Sequence, residues 1–300
     1  MSSIAYVADE KMIEYHRLFG SRNINFWRLS SQKRFKDFKK GDLLFFYTRS
    51  EHSKKKGFVG YAHYDSTERM SLKRMWKKYE QKNGYDNFEQ LKDAIQTAAR
   101  DNQIPEEMNC LYLTDVVFFV APIYPEDIGI KISPKLESYC YLDQNDPQVT
   151  VRLLKLAEKV GIDIWSAAQS KESVNVFRKD EIRHHLAVCA KEIGESGLTK
   201  VEQSKARKLT KTKLDDSFEQ IRGSENDYLK IEDRNIIIAI PFAYMQKDYN
   251  IRKLELMGKL TLYKLYILRN HLDVDHVKFR ILTEQPQPEI IELVEEFLHA

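Results

Sequence analysis

The sequence predicts an α+β protein with a strand-rich N-terminal region, a helical middle and a small α/β C-terminal unit. Three observations carry that expectation. Short aromatic-rich runs punctuated by Gly and Pro recur through residues 1–165. Residues 166–225 are polar, helical in propensity and without a strand pattern. Residues 226–300 read strand, helix, strand, helix. With 300 residues the chain can hold two ordinary domains.

Taken in order, residues 4–7 form a short strand, and Asp9 can cap a helix over 10–18 that Gly20 ends. Residues 25–29 and 43–48 are aromatic strands separated by the turn residues Lys40, Gly41 and Asp42. A strand at 58–64 pairs with 43–48 through a polar loop at 49–56. Residues 68–100 are expected to be helical, anchored by Met70, Leu72, Met75, Trp76 and Tyr79. Residues 112–121 form an apolar strand stopped by Pro122 and Pro125. Residues 134–141 are a short amphipathic segment, and 150–160 an amphipathic helix that Gly161 stops. The first domain is placed at 1–165, ending at Trp165.

Residues 166–225 are read as a helical linker; its Lys/Arg-rich tract at 200–213 suits a solvated connector or a DNA-contacting helix. The C-terminal unit, 226–300, has strands at 235–241 and 277–283. Its helix at 254–268 is apolar on most faces, so it is expected to be buried or to meet a second copy. A last amphipathic helix covers 288–298. So small a unit is marginal alone, which suggests oligomerisation or docking of an effector.

The charge is uneven. Residues 1–100 hold 21 Lys+Arg and 12 Asp+Glu, against 27 and 33 in the rest of the chain. A basic N-terminal part fits a polyanion. A hydrophobic fraction of 42% excludes a disordered chain. Cys110, Cys140 and Cys189 match no zinc or redox spacing and read as small buried hydrophobes in a reducing compartment. No signal peptide and no membrane-length apolar run is visible, so a cytoplasmic protein without membrane partners is expected.

Asn25-Phe26-Trp27-Arg28 is followed by Phe35 and Phe38, then Lys40-Gly41-Asp42-Leu43-Leu44-Phe45-Phe46-Tyr47, then Gly57-Phe58-Val59-Gly60-Tyr61-Ala62. Further on, Pro122 closes an apolar strand, and Ser133-Pro134-Lys135-Leu136 leads to Pro147-Gln148-Val149-Thr150. This ordered set resembles an EVE domain of the PUA/YTH-like superfamily. The resemblance covers about half the chain. Two features depart from it: the long excursion between Met70 and Asn109, and the basic run Lys54, Lys55 and Lys56.

The resemblance implies a curved PUA-like β-barrel with flanking helices that holds an extruded, modified base, DNA before RNA. It suggests the reader of a modification-dependent restriction or phage-defence system, working with an effector nuclease or NTPase. A modified-RNA reader and a nuclease targeted by the EVE-like domain are the alternatives. An aromatic pocket offsets the few kcal/mol that unstacking a base costs. Trp27 is either a stacking wall or a core residue. Tyr47 and Phe45 share one strand parity and are pocket candidates with Thr48, while Leu44 and Phe46 should be core. Asn23 could read a base edge or simply turn the chain. Ser30 could bond a base or cap a helix. Lys33, Arg34, Lys36, Lys39, Lys40, Arg49, Lys54, Lys55 and Lys56 are candidate phosphate contacts, which set affinity rather than sequence.

No catalytic set is apparent. Glu181 with His184 and His185 lacks partners to complete a metal site, and no cofactor motif is present. Asp227, Lys230, Glu232 and Asp233 come nearest to a metal-dependent nuclease, but in the wrong order along the chain.

Overall fold

The structure is a computed structural model that describes residues 2–29, 35–50, 53–99, 101–163, 176–194, 196–232, 235–270, 272 and 276–299. The side chains of Ser50, Ser53, Lys54, Leu298 and His299 lie outside that description. The chain divides into two compact units, Met1–Phe177 and Arg178–Ala300.

The first unit is one six-stranded sheet. Its strands are β1 (Ser3–Val7), β2 (Ile24–Arg28), β3 (Leu43–Ser50), β4 (Ser53–Met70), β5 (Met108–Ile123) and β6 (Tyr139–Tyr141), in the order β2-β5-β4-β3-β1-β6. All pairs are antiparallel except β1 with β3. Mixed α and β structure is as expected, but the expected barrel is not closed. Among the described residues β2 and β6 are edges that do not pair with each other.

The reason lies in the side chains, because both faces of this sheet are covered. Helix α1 (Glu10–Leu18), capped by Asp9 through a 2.9 Å bond from the Met12 amide, sends Met12 and Ile13 onto the face that carries Leu44, Phe46, Leu111 and Leu113. Helix α4 (Gln148–Val160) sends Leu153, Leu154 and Ala157 onto the face that carries Phe45, Tyr47, Phe58, Tyr61 and Phe119. Strands buried on both sides read as continuous apolar runs rather than alternating ones. Each such side chain contributes roughly 1.5–3 kcal/mol on full burial.

Strands β4 and β5 are longer than the sequence suggested. They continue together through Ser66↔Tyr112 and Arg69↔Asn109 to Met70↔Met108, with three register shifts along the pairing. Gly60 lets them approach, since a Cβ there would lie 2.3 Å from the Val117 carbonyl oxygen. Residues 68–100 are therefore not helical throughout. Helices α2 (Leu72–Tyr79) and α3 (Phe88–Ala98) follow the end of β4 and bury Met75, Tyr79, Leu91 and Ile95 against Met108 and Cys110.

The second unit holds α5 (Val176–Ile193, from Arg178 onward), α6 (Lys200–Lys213), β7 (Glu219–Gln220), β8 (Tyr228–Glu232), β9 (Asn235–Pro241), α7 (Tyr249–Arg269), β10 (His276–Leu282) and α8 (Pro288–His299). Its sheet runs β10-β9-β8-β7, with β9 and β10 parallel and joined by α7. Ile236, Ile238 and Ile240 pack with Ile182 and Leu186 of α5 and Leu256, Leu260 and Tyr263 of α7. On the other face Ala239 meets Ala206 and Leu209 of α6. The two short strands β7 and β8 carried too few alternating residues to register in the sequence.

Candidate nucleic-acid interface

At one end of the first unit's sheet the apolar face turns polar. Arg28 of β2, Asn109 of β5 and Arg69 of β4 are register partners, so they form a row across three neighbouring strands. Phe35 and Phe38, from the segment between β2 and β3, and Tyr64 and Thr67 of β4 complete a groove of about 340 Å³. Glu68 also lines it. The aromatic rings contact one another: Phe35 and Phe38 centroids are 5.0 Å apart, and so are Phe38 and Tyr64. The Arg28 guanidinium lies 4.8 Å from the Phe35 ring centroid, a cation–π contact. The Tyr64 and Thr67 hydroxyls are hydrogen-bonded at 2.8 Å.

Asn109 is the unusual member. It is only 3% exposed. Its Oδ1 accepts a 3.1 Å bond from Arg69 Nε, which fixes the orientation of the amide. Its Nδ2 then finds no partner among the described residues. A buried donor left unmade costs about 1–3 kcal/mol. A groove with aromatic walls, two guanidinium groups and an unused amide donor can take a flat, polar-edged ring carrying an acceptor.

The residues singled out in the sequence fall elsewhere. Trp27 donates through Nε1 to the Asn83 carbonyl at 3.2 Å and packs among core residues, apart from the groove. Phe45 (0% exposed) and Tyr47 (4%) sit in the core beneath α4, with Tyr47 5.2 Å from the Phe58 ring. Thr48 is buried opposite Gly57. Asn23 is half-buried in the bend before β2. Ser30, Lys33 and Arg34 lie outside the described residues.

The candidate phosphate contacts separate into two groups. Lys36, Lys39 and Lys40 are exposed and flank Phe35 and Phe38 in the chain; Lys40 pairs with Asp65 at 2.6 Å. Arg49 and Lys55 are exposed at the far end of the β3–β4 hairpin, where Arg49 faces Lys56. Lys56 is half-buried and donates to the Leu136 carbonyl at 3.0 Å. Tyr64 is eight positions along β4 from Lys56, roughly 26 Å of extended chain. The second group is therefore not at the groove.

Sequence reasoning used Phe35 and Phe38 only as markers and missed Arg28, Tyr64, Thr67, Arg69 and Asn109 as a set. The usable signal was the alternation of Met108, Cys110 and Tyr112 with Asn109, Leu111 and Leu113. It extends β5 backwards and places Asn109 on the face of Leu111.

In the second unit the acidic residues considered for a nuclease do not converge. Asp227, 1% exposed, accepts from Lys259 Nζ at 3.1 Å and from the Tyr263 hydroxyl at 3.0 Å. Glu232, at the other end of β8, pairs with Lys230 at 2.5 Å; Asp233 lies outside the described residues. His184 and His185 are buried on α5, and His185 Nε2 is 3.5 Å from Glu181. Among the described residues no group of three or more His, Cys, Asp and Glu could hold a metal ion.

A second cavity, about 270 Å³, lies along α7 between Gly194, Gly197, Phe242, Arg252, Glu255 and Lys259. Its two cations are engaged. Arg252 makes bonds of 3.1 and 3.0 Å to Glu202, 2.9 and 2.7 Å to Glu255 and 2.8 Å to the Gly197 carbonyl. Burial alone would raise the Glu202 carboxyl. Its bonds from Arg252, Thr199 and the Met245 amide outweigh that and hold it at about 2.

Among the described residues no helix is long and apolar enough to cross a membrane. No protein-family model matches the chain, and no curated protein does. Among solved structures, ASCH from Zymomonas mobilis is 12% identical with a TM-score of 0.37, covering 51% of this chain and 94% of its own. Two single-residue variants of the same protein match alike, one at 12% identity and TM-score 0.38 over 52% of this chain and 99% of its own. The other has 11% identity and TM-score 0.37 over 51% and 95%. At such identity and TM-score the likeness assigns no function.

Proposed function

We propose that the first unit is a nucleic-acid-binding module whose groove holds one unstacked base. The observation that supports it is Asn109, a buried amide fixed by Arg69 with its Nδ2 left unused beside aromatic rings. A base would stack on Phe35 and Tyr64 and receive the Asn109 donor on an acceptor of its edge. Arg28, Lys36 and Lys39 would meet the adjoining phosphates. Stacking on an aromatic side chain is worth roughly 1–3 kcal/mol per base. The EVE resemblance of the sequence makes a methylated base the first ligand to test, DNA before RNA. A role in restriction or phage defence rests on that resemblance alone.

The experiment is binding of the full chain to matched DNA and RNA oligonucleotides, unmodified and methylated on cytosine or adenine, at two salt concentrations. One form should bind preferentially, with the preference surviving high salt, because base contacts are not counterion release. Asn109→Asp removes both amide donors and keeps an acceptor for Arg69, so that preference should vanish while the fold stays. Equal, salt-sensitive binding to every oligonucleotide, unaltered in Asn109→Asp, would refute a base-holding groove.

A further inference from the structure

The inner side of helix α6 is fully used by the second unit. Ala206 and Leu209 pack in one cluster with Ala239 of the sheet. Glu202 is bonded to Arg252, and Lys205 donates to the Tyr244 carbonyl at 3.3 Å. The other side carries Lys200, Ser204, Arg207, Lys208 and Lys211, all exposed. Their spacing puts them on one stripe, opposite the buried positions 202, 206 and 209. The one acid of the helix, Glu202, is buried on the inner side. Among the described residues none of these four cations forms an ion pair.

Helix stability does not account for this stripe. Solvated helices gain from opposite charges three or four positions apart and lose from like charges there. Arg207 and Lys211 are four apart, and Lys208 and Lys211 three. Lys200 is the first helical residue, where a cation opposes the helix dipole; only Lys211 and Lys213, in the last turn, suit it. A general excess of base does not account for it either. Residues 178–300 hold 21 Lys+Arg and 21 Asp+Glu. The charges are segregated instead, with exposed Glu289, Glu292, Glu295 and Glu296 on α8.

We infer that the outer face of α6 is a second nucleic-acid contact, one that binds the phosphate backbone and reads no base. The choice of nucleic acid among polyanions rests on the base-holding reading of the first unit. The stripe from Lys200 to Lys211 covers roughly 16 Å of helix, about five phosphates of one strand at 3.4 Å each. Ser204 adds a hydroxyl donor of the kind that phosphate oxygens take. A membrane surface would need an apolar face to bury, and the apolar face of α6 is in the core. The Thr199–Glu202 capping box and the bonds from Arg252 to Glu202 hold the helix in place, so the cations are presented at a fixed spacing. Strand β10 continues the surface. Arg280 donates to the Lys213 carbonyl at 3.0 Å. Exposed Lys278 pairs with Ile237, which packs with the α6 cluster, so it lies on the same side of the sheet. Asp215, just past the helix, is close enough to Lys230 and Arg280 to feel their charge, and it bounds the surface. Such a face supplies sequence-independent affinity and leaves selectivity to the groove.

Binding of the full chain to an unmodified DNA duplex over a range of salt concentrations tests this. Arg207→Ala, Lys208→Ala and Lys211→Ala together remove three charges at exposed helical positions, where alanine favours the helix, so the unfolding midpoint should not fall. The slope of log K against log salt should become shallower by about 2–3, since each phosphate contact contributes about 0.9. Affinity at low salt should fall at least about tenfold. Lys191→Ala, Lys247→Ala and Arg269→Ala remove as many exposed charges elsewhere in the unit and should leave the slope as it was. A slope unaltered in the α6 variant, a slope lowered equally by both variants, or a chain that does not bind the duplex would each overturn the proposal. The two readings fail separately. Binding that depends on α6 in a chain without base preference leaves this contact standing and refutes the groove. A base preference with no dependence on α6 does the reverse.

Discussion

Glu202 and Asp227 of the second unit and Asn109 of the first are buried polar groups used in opposite ways. In the second, Glu202 receives Arg252, Thr199 and Met245, and Asp227 receives Lys259 and Tyr263. In the first, the amide of Asn109 is as deeply buried yet, among the described residues, uses only its oxygen. A closed set of bonds holds elements together and has nothing left for a ligand. An amide held by one end and idle at the other leaves the protein short of a hydrogen bond that a ligand can supply. That contrast, more than cavity size, is why the groove in the first unit is the better site and the cavity beside Arg252 is the poorer one.

The largest effect expected from this contrast is on stability. Removing one partner of a buried ion pair leaves the other uncompensated and costs about 3–5 kcal/mol. Glu202→Ala should fall at the lower end, about 3 kcal/mol, because Arg252 keeps Glu255. Urea unfolding followed on the second unit would measure it, and a loss below about 1 kcal/mol would mean that the cluster is not a lock. The pH dependence carries a matching signature. Glu202 is depressed from 4.5 to about 2, so its contribution is complete above 4.5 and is lost as pH falls towards 2.

His16, on α1 of the first unit, gives a different window. Burial lowers it from 6.5 to about 3, and it stays neutral with Nδ1 3.0 Å from the Ser21 hydroxyl. Its folded-state value lies below the unfolded one, so the stability tied to it is complete above 6.5 and lost as pH falls towards 3. Acid should therefore weaken the first unit before Glu202 begins to weaken the second. Stability measured between pH 6.5 and 4.5 should slope downward with falling pH in the wild type and flatten in His16→Gln. A slope unchanged by that substitution would assign the acid sensitivity to other groups.

Next in size is the groove wall. Phe35→Ala should weaken binding of the preferred oligonucleotide by roughly 1–3 kcal/mol, about tenfold to a hundredfold, through loss of one stacking surface. Folding should be little altered, since Phe35 is only half-buried. If the same substitution unfolds the first unit, Phe35 is a structural ring and the wall must be Tyr64.

How far the sequence could be read follows the same division. Apolar periodicity was enough for α1, for the start of β3, for β9 and for the extent of α8, because their burial is one-sided or continuous. It could not separate a pocket-facing parity from a core-facing one on β3. Phe45 and Phe46 both have zero exposure, since α4 covers one face and α1 the other. A helix packing from 100 residues away leaves no local mark. The groove was hidden for a related reason. Arg28, Asn109 and Arg69 are adjacent only through strand pairing, and the polar run from Asp65 to Arg69 looks like a helix start until Tyr112, Cys110 and Met108 supply its partner strand. Lys54, Lys55 and Lys56 stood out as a charge run, yet position depends on hairpin length, which puts them at the opposite end of β4 from Tyr64.

The smallest expected effect is the most discriminating. Asn109→Asp replaces an idle donor by a carboxylate oxygen between Arg69 and Arg28. Two opposing terms act on the fold. Burial of a charge costs energy, while two guanidinium groups and relief of the unpaired donor return it, and removal of that donor alone is worth about 1–3 kcal/mol. The net change in stability should stay within about 1 kcal/mol of zero, although a buried polar residue has been altered. Binding should nevertheless be lost, because an acceptor now faces the acceptor edge of the base. A protein that keeps its unfolding midpoint and loses its ligand would show that Asn109 is retained for what it binds. One that loses several kcal/mol along with its ligand would show instead that the amide is part of the fold, and the contrast between the two units would fail at its central residue.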